Sequence, residues 1–161
     1  MRPIALSAAA FVSALTMSPV AKADWQGANW NQGVAQVQKA TRLVLRLPTS
    51  YEASGSMHSD GLPAGLVFDW KMDRFVFKGA MYFERGGLSR ISLSGSEPGS
   101  CKLVLDELGA SYGAAPDAGS GKVFLDRRGH NRIEVSYLEV TKTSEVCAVS
   151  YYPFVENSGR L

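Results

Sequence analysis

The strongest signal along the chain is alternation of apolar and polar positions. In LVFDWKMD, Leu66, Phe68, Trp70 and Met72 alternate with Val67, Asp69, Lys71 and Asp73. That period of two turns the first set to one face of a strand and the second to water. FVFKGAMYFER repeats the pattern with Phe75, Phe77, Met81 and Phe83, and reads Gly79 as a bulge or a point of close approach. Gly86-Gly87 permits a tight hairpin, and LSRISLSG adds Ile91 and Leu93 to a third strand. Further on, Lys122–Arg127, Ile133–Thr141 and Glu145–Pro153 read as three more strands, separated by Arg128–Arg132 and by Lys142-Thr143-Ser144. In the last of them Cys147, Val149 and Tyr151 share one face.

Helical spacing replaces alternation in two places. GSCKLVLDELGASYG brings Cys101, Val104, Leu105, Leu108 and Tyr112 onto one stripe, with Ser100 as N-cap and Gly113 as left-handed C-cap. WNQGVAQVQKA has Val34, Val37 and Thr41 at the same spacing, Asn31 as N-cap and Trp30 placed to fold back on the first turn. Thr41–Leu47 fits either a continuation of this helix or an extra strand. Pro48–Pro63, rich in Ser, Gly and Pro, reads as a mobile surface loop. The sum is an α+β fold, an antiparallel β-meander sheet with short helices packed on one face. Its order of helix, loop and three strands, met twice, suggests a tandem repeat.

The N-terminus bears on compartment. Arg2, an apolar run from Ile4 to Met17 and Ala21-Lys22-Ala23 have the layout of a secretory leader, which predicts cleavage after Ala23. The run is shorter than the ~20 apolar residues that span a bilayer. Asp24 stands where a lipoprotein would carry its cysteine, so no membrane anchor is expected after cleavage. Residues 24–161 then form a single α+β domain, periplasmic or secreted from a bacterium. The precursor has 17 Lys plus Arg against 15 Asp plus Glu. Arg2 and Lys22 depart with the leader, which leaves 15 of each sign. A neutral domain lacks the basic footprint of nucleic-acid binding, and the Arg127–Arg132 cluster reads as a solvated hairpin tip.

Export changes the reading of the two cysteines. Cys101 lies in the first turn of an amphipathic helix and Cys147 on the apolar face of a strand, so both point into the helix–sheet interface. An oxidising compartment makes a disulfide available, worth about 4 kcal/mol in chain-entropy terms for a loop of ~45 residues.

Catalytic and metal chemistry find little support. His58 and His130 have no partner at metal-ligand spacing, and loop composition accounts for His58-Ser59-Asp60. Gly119-Ser120-Gly121-Lys122 imitates the end of a phosphate loop, but Val123 stands where a Ser or Thr should bind magnesium and a strand follows where a helix is required. Asp69 and Asp73 sit on the polar face of one strand, with no cleft implied. No cofactor or metal is expected. Side chains suited to anchoring a protein partner are Tyr51, Met57 and His58 in the loop, and Tyr82 and Tyr152, which fall out of phase with the buried sets of their strands.

The leader, WNQGVAQVQKA with its meander, and CKLVLDELGASYG with a second meander together resemble bacterial exported proteins of the β-lactamase-inhibitor-protein-like fold. Envelope proteins of the SmpA/OmlA (BamE) type share that unit. The resemblance implies a non-catalytic protein that binds an envelope or periplasmic protein or helps maintain the envelope. An inhibitor of cell-wall enzymes, or a hydrolase acting on cell-wall material, is the alternative.

Overall fold

The computed structural model describes residues 25–54, 62–119, 121–141 and 144–154. The leader, Met57 and His58 lie outside the described residues. The elements in chain order are α1 (Val34–Ala40), α2 (Ser50–Ala53), β1 (Leu66–Met72), β2 (Phe75–Glu84), β3 (Gly87–Gly95), α3 (Ser100–Tyr112), β4 (Asp117–Ala118), β5 (Gly121–Asp126), β6 (Asn131–Thr141) and β7 (Ser144–Pro153). The six strands expected from alternation are joined by β4, only two residues long. All seven form one antiparallel sheet in the order β1-β2-β3-β7-β6-β5-β4.

The two meanders therefore meet through their last strands. β3 pairs with β7 from Ile91 opposite Tyr151 to Gly95 opposite Cys147. The first half runs from α1 and α2 through three strands and the second from α3 through four, and α1 and α3 bury side chains in the same apolar cluster, so both lie on one face. That face is built from the alternating set: Leu66 and Phe68 of β1, Phe75, Phe77 and Met81 of β2, Ile91 and Leu93 of β3, Ile133 and Val135 of β6, Cys147 and Val149 of β7. Val37 of α1 and Val104 and Leu108 of α3 close it from above. Gly79 is a point of close approach: a Cβ there would lie 2.2 Å from the Phe68 ring. The bulge falls instead between Tyr82 and Phe83.

Several local expectations are corrected. Gly33, not Asn31, caps α1, and its N–H donates to the Gln36 side chain at 2.9 Å. Asn31 takes a left-handed φ of 65° because its N–H is drawn to the Leu88 carbonyl at 3.0 Å, while Leu88 N–H donates to Gln32 at 2.8 Å. Trp30 does not staple the helix. It is buried, and its Nε1 donates to Asn131 Oδ1 at 3.1 Å, 101 residues along the chain. Gly99, with φ of 84°, precedes α3, so Ser100 is the first helical residue rather than the cap. Thr41–Leu47 is neither helix nor strand: α1 stops at Ala40, and Arg46 forms an isolated bridge to Val67. Val67, expected in water, is buried on the second face of the sheet with Ala64, Ala80 and Tyr82. Ala64 and Leu62, in the chain entering β1, pack against that face.

Cys101 and Cys147 form a disulfide, with Cα atoms 5.1 Å apart and a sequence separation of 46. Glu145, two residues before Cys147, accepts from Cys101 N–H at 2.8 Å and from Ser100 Oγ at 3.1 Å. A strand carboxylate thus satisfies the amino end of α3, where the helix dipole favours negative charge. Replacing either cysteine by Ser should lower Tm by roughly 10 °C, since the lost chain restraint is about 4 kcal/mol, and should leave the far-ultraviolet spectrum unchanged. Thermal melts of the variants and of the reduced chain give the comparison; equal melting of oxidised and reduced protein would remove the disulfide from the stability argument.

Candidate interaction surface

A β-sheet exposes backbone donors and acceptors along its free edges, and proteins generally block them. Here both outer edges are covered in part. Along β1, Arg46 N–H donates to the Val67 carbonyl at 3.0 Å and its carbonyl accepts from Val67 N–H at 2.9 Å. Along β5, the short β4 pairs with Gly121 and Lys122, and Val123 N–H reaches the Pro116 carbonyl at 3.5 Å.

The third edge is different. β6 pairs with β5 only from Asn131 to Ser136, yet pairs with β7 as far as Thr141. Tyr137–Thr141 therefore has no strand on its outer side among the described residues. The cause is where β5 begins. Gly121 sits so close beneath β6 that a Cβ would lie 2.0 Å from the Val135 carbonyl oxygen. β6 and β7 stay paired beyond that point.

The projecting hairpin is apolar on the outside. Tyr137 is 49%, Leu138 65%, Val140 56% and Val146 42% exposed. Leu138 and Val146 are cross-strand partners, and with Ser136, Tyr137 and Ala148 they line a shallow depression of about 240 Å³. On the opposite face Tyr137, Glu139 and Glu145 meet Cys101, Lys102, Leu105 and Asp106 of α3 around a groove of about 370 Å³. Lys102 is ion-paired to Asp106, and Glu145 is occupied at the helix end. Acidic character dominates this side of the hairpin.

The anchors expected from sequence are scattered. Tyr82 is buried, packed with Val67 and Ala80 and lying under the Arg90 guanidinium at 4.0 Å, so it is unavailable to a partner. Its phase on β2 marked a second packed face, not an interaction face. Tyr152 is half-buried opposite Arg132. Tyr51 alone is well exposed, on α2, with Val44 and Leu47 exposed nearby in sequence. The first part of the expected mobile loop is a capped helical turn: Thr49 N–H donates to Glu52 at 2.8 Å and Glu52 N–H to Thr49 Oγ1 at 3.3 Å. Arg46 grips the same Glu52 carboxylate through both terminal nitrogens, at 2.7 and 2.6 Å.

Sequence reasoning missed the β6–β7 tip, although a signal was present. In SYLEV the alternation fails, because Tyr137 and Leu138 are both apolar and must face opposite ways. A strand apolar on both faces with no second layer to cover it presents one face to solvent.

Elsewhere the polar groups are structural. Asp126 accepts from Gly129 N–H at 2.9 Å, from Asn131 Nδ2 at 2.9 Å and from the Tyr112 hydroxyl. With Trp30 on Asn131, this joins the N-terminal segment, the β5–β6 turn and the end of α3. Burial and the neighbouring Asp126 raise the Tyr112 hydroxyl, and burial beneath Trp25 pushes Tyr151 up to about 12, so neither ionises near neutral pH. His130 is exposed at the turn with φ of 52°. Among the described residues no three of His, Cys, Asp and Glu converge as a metal site, and no helix is long and apolar enough to cross a membrane. No protein family, curated protein or solved structure matches the chain.

The α2 shelf carries a pH test. Hydrogen bonds from Arg46 and from the Thr49 backbone hold the Glu52 carboxyl at about 2, against an ordinary 4.5. A depressed folded value means the stabilisation is complete above 4.5 and is lost as pH falls through about 2. The Thr49 and Glu52 amide resonances should therefore shift with a midpoint near pH 2, while core amides of β2 and β3 hold until the chain unfolds. Glu52→Gln should abolish that step and free the shelf at every pH, with little change in Tm because the ion pair is solvent-exposed. A Glu52 midpoint near 4.5 would show the Arg46 contact to be absent in solution.

Proposed function

We propose that the mature chain is an exported, non-catalytic module that binds an envelope or periplasmic protein. The carrying observation is the projecting hairpin, where Tyr137, Leu138, Val140 and Val146 remain exposed together, while the other exposed large apolar residues of the sheet, Val76 and Leu125, stand singly on separate strands. Monomeric proteins seldom leave such side chains clustered, and those that do use the patch for recognition. Aromatic and aliphatic anchors ringed by polar groups are the composition of interface centres.

Other observations support the reading. The disulfide is compatible with an oxidising compartment. The leader-like segment and the absence of an acceptor cysteine at position 24 point to release after export. The twice-met order of helix and antiparallel strands is the pattern on which the resemblance to β-lactamase-inhibitor-protein-like and SmpA/OmlA-type proteins rests. The polar clusters that could suggest catalysis are spent on structure, as with Asp126, whose carboxylate is engaged from three sides. Inhibition of a cell-wall enzyme would be one form of the same binding role.

Photo-crosslinking in exporting cells tests the reading. A benzophenone amino acid at Leu138 should give a discrete protein adduct. The same group at Val34, which is exposed on α1, should not. Adding Val146→Ser should reduce the Leu138 adduct several-fold with Tm unchanged, since Val146 is a surface residue. Adducts of equal yield from both positions, or none from Leu138, would overturn the assignment of this surface.

A further inference from the structure

We infer that the segment leading into α2 rests on an anionic bilayer, with Val44, Leu47 and Tyr51 entering the lipid interface and Lys39 and Arg42 meeting lipid phosphates. The inference goes beyond the reading of the hairpin and does not depend on it.

Exposure singles out this segment. Val44 is 91%, Tyr51 77% and Leu47 72% exposed, the three highest values among the large apolar side chains of the described residues. All three fall within eight residues of chain. Alternation explains the first of them. Leu43 and Leu45 pack against the core, so Val44 between them is turned outward. Arg46 then exchanges both backbone hydrogen bonds with Val67 at the edge of β1. Pro48 has no N–H with which to continue that pairing, and the chain turns into α2, which carries Tyr51 on the surface.

The ridge is already shaped for contact. Arg46 fixes one end through Val67, and its guanidinium holds the Glu52 carboxylate of α2 at 2.7 and 2.6 Å. Thr49 and Glu52 cap the turn between them. Little conformational order then has to be created when the three apolar side chains are covered.

Charge selects the occupant. Residues 39–54 hold three cations, Lys39, Arg42 and Arg46, and one carboxylate, Glu52. Arg46 is paired to Glu52, which leaves Lys39 and Arg42 exposed and outside any ion pair among the described residues. Across the edge of β1, Asp69 is itself paired to Lys78 at 2.8 Å. Aliphatic and tyrosine side chains with lysine and arginine close by have the composition of a membrane interface. The cations reach phosphates over their own aliphatic stems while the apolar groups sink below. The β6–β7 hairpin is also apolar outside, but Asp106, Glu139 and Glu145 border it, and an anionic surface repels them. The two apolar surfaces therefore differ in the sign of the charge around them, and a bilayer favours the first.

Flotation of the exported chain with vesicles of phosphatidylserine and phosphatidylcholine in equal parts tests the contact. The chain should float with these vesicles, remain behind with phosphatidylcholine alone, and be released at high salt. Leu47→Ser should lower partitioning about tenfold and Arg42→Ser about fivefold. Both side chains are on the surface, so Tm should not change. Leu138→Ser, on the hairpin, should leave partitioning as it is. A leader retained on the chain would bind alike in every variant, so equal partitioning of the parent and Leu47→Glu overturns the inference. Failure of the parent to float at low salt does the same. A benzophenone amino acid at Tyr51 that yields a discrete protein adduct, without vesicle binding, makes the ridge a protein site instead. None of these failures touches the Leu138 adduct, on which the hairpin reading is judged.

Discussion

Where β3 lies against β7, the last strand of each meander covers the edge that the other would leave open. A three-stranded meander with one apolar face is near the minimum for independent stability. Joined, the two halves present a continuous apolar surface from Leu66 to Phe124, on which α1 and α3 can both be buried. Cys147 stands at one end of this seam, opposite Gly95, so the disulfide to Cys101 clamps α3 down where the halves meet. Tyr151 stands toward the other end, under Trp25, whose ring also contacts Phe68 and Trp70 of the first half. Covalent and aromatic fastenings thus flank one backbone pairing.

Unequal strand lengths on either side of the seam set how far β6 and β7 outrun β5. β7 and β6 run on past the point where β5 begins, and the close packing of Gly121 on Val135 leaves β4–β5 no room to slide along β6. The hairpin is supported where it departs from the core. Glu145 is tied to the amino end of α3, and Cys147 is bonded to the same turn of helix. A rigid base carrying exposed apolar side chains is a geometry suited to recognition, because little conformational entropy is lost when they are covered. The α2 turn contrasts with it: Tyr51 is more exposed, and the turn is held at the surface by the Thr49 cap and the Arg46–Glu52 ion pair.

Strands, the long helix, the disulfide and the α+β class were legible in the sequence because each depends on local periodicity or on counting. Period two marks β1, β2 and β7, helical spacing marks α3, and two cysteines leave one intramolecular pairing. Gly79 could be read as either a bulge or a close approach, since a glycine inside an alternating strand has few other reasons to be there, and the Phe68 ring beside it selects the second.

What tertiary structure alone decided is how each locally ambiguous residue is used. Asn31 and Trp30 had the form of a cap and a staple, but bonds to Leu88 and to Asn131 outweighed the local ones. Tyr82 and Val67 looked solvent-facing because alternation assigns phase without saying whether a second layer covers the other face; residues 62–65 supply that layer. How far the β6–β7 pairing outruns the β5–β6 pairing depended on the registers of two neighbouring strands relative to one another. No single segment encodes such a difference, since pairing register is set by contacts between residues far apart in the chain. Sequence by itself determined which faces are apolar; the fold determined which of them stay uncovered.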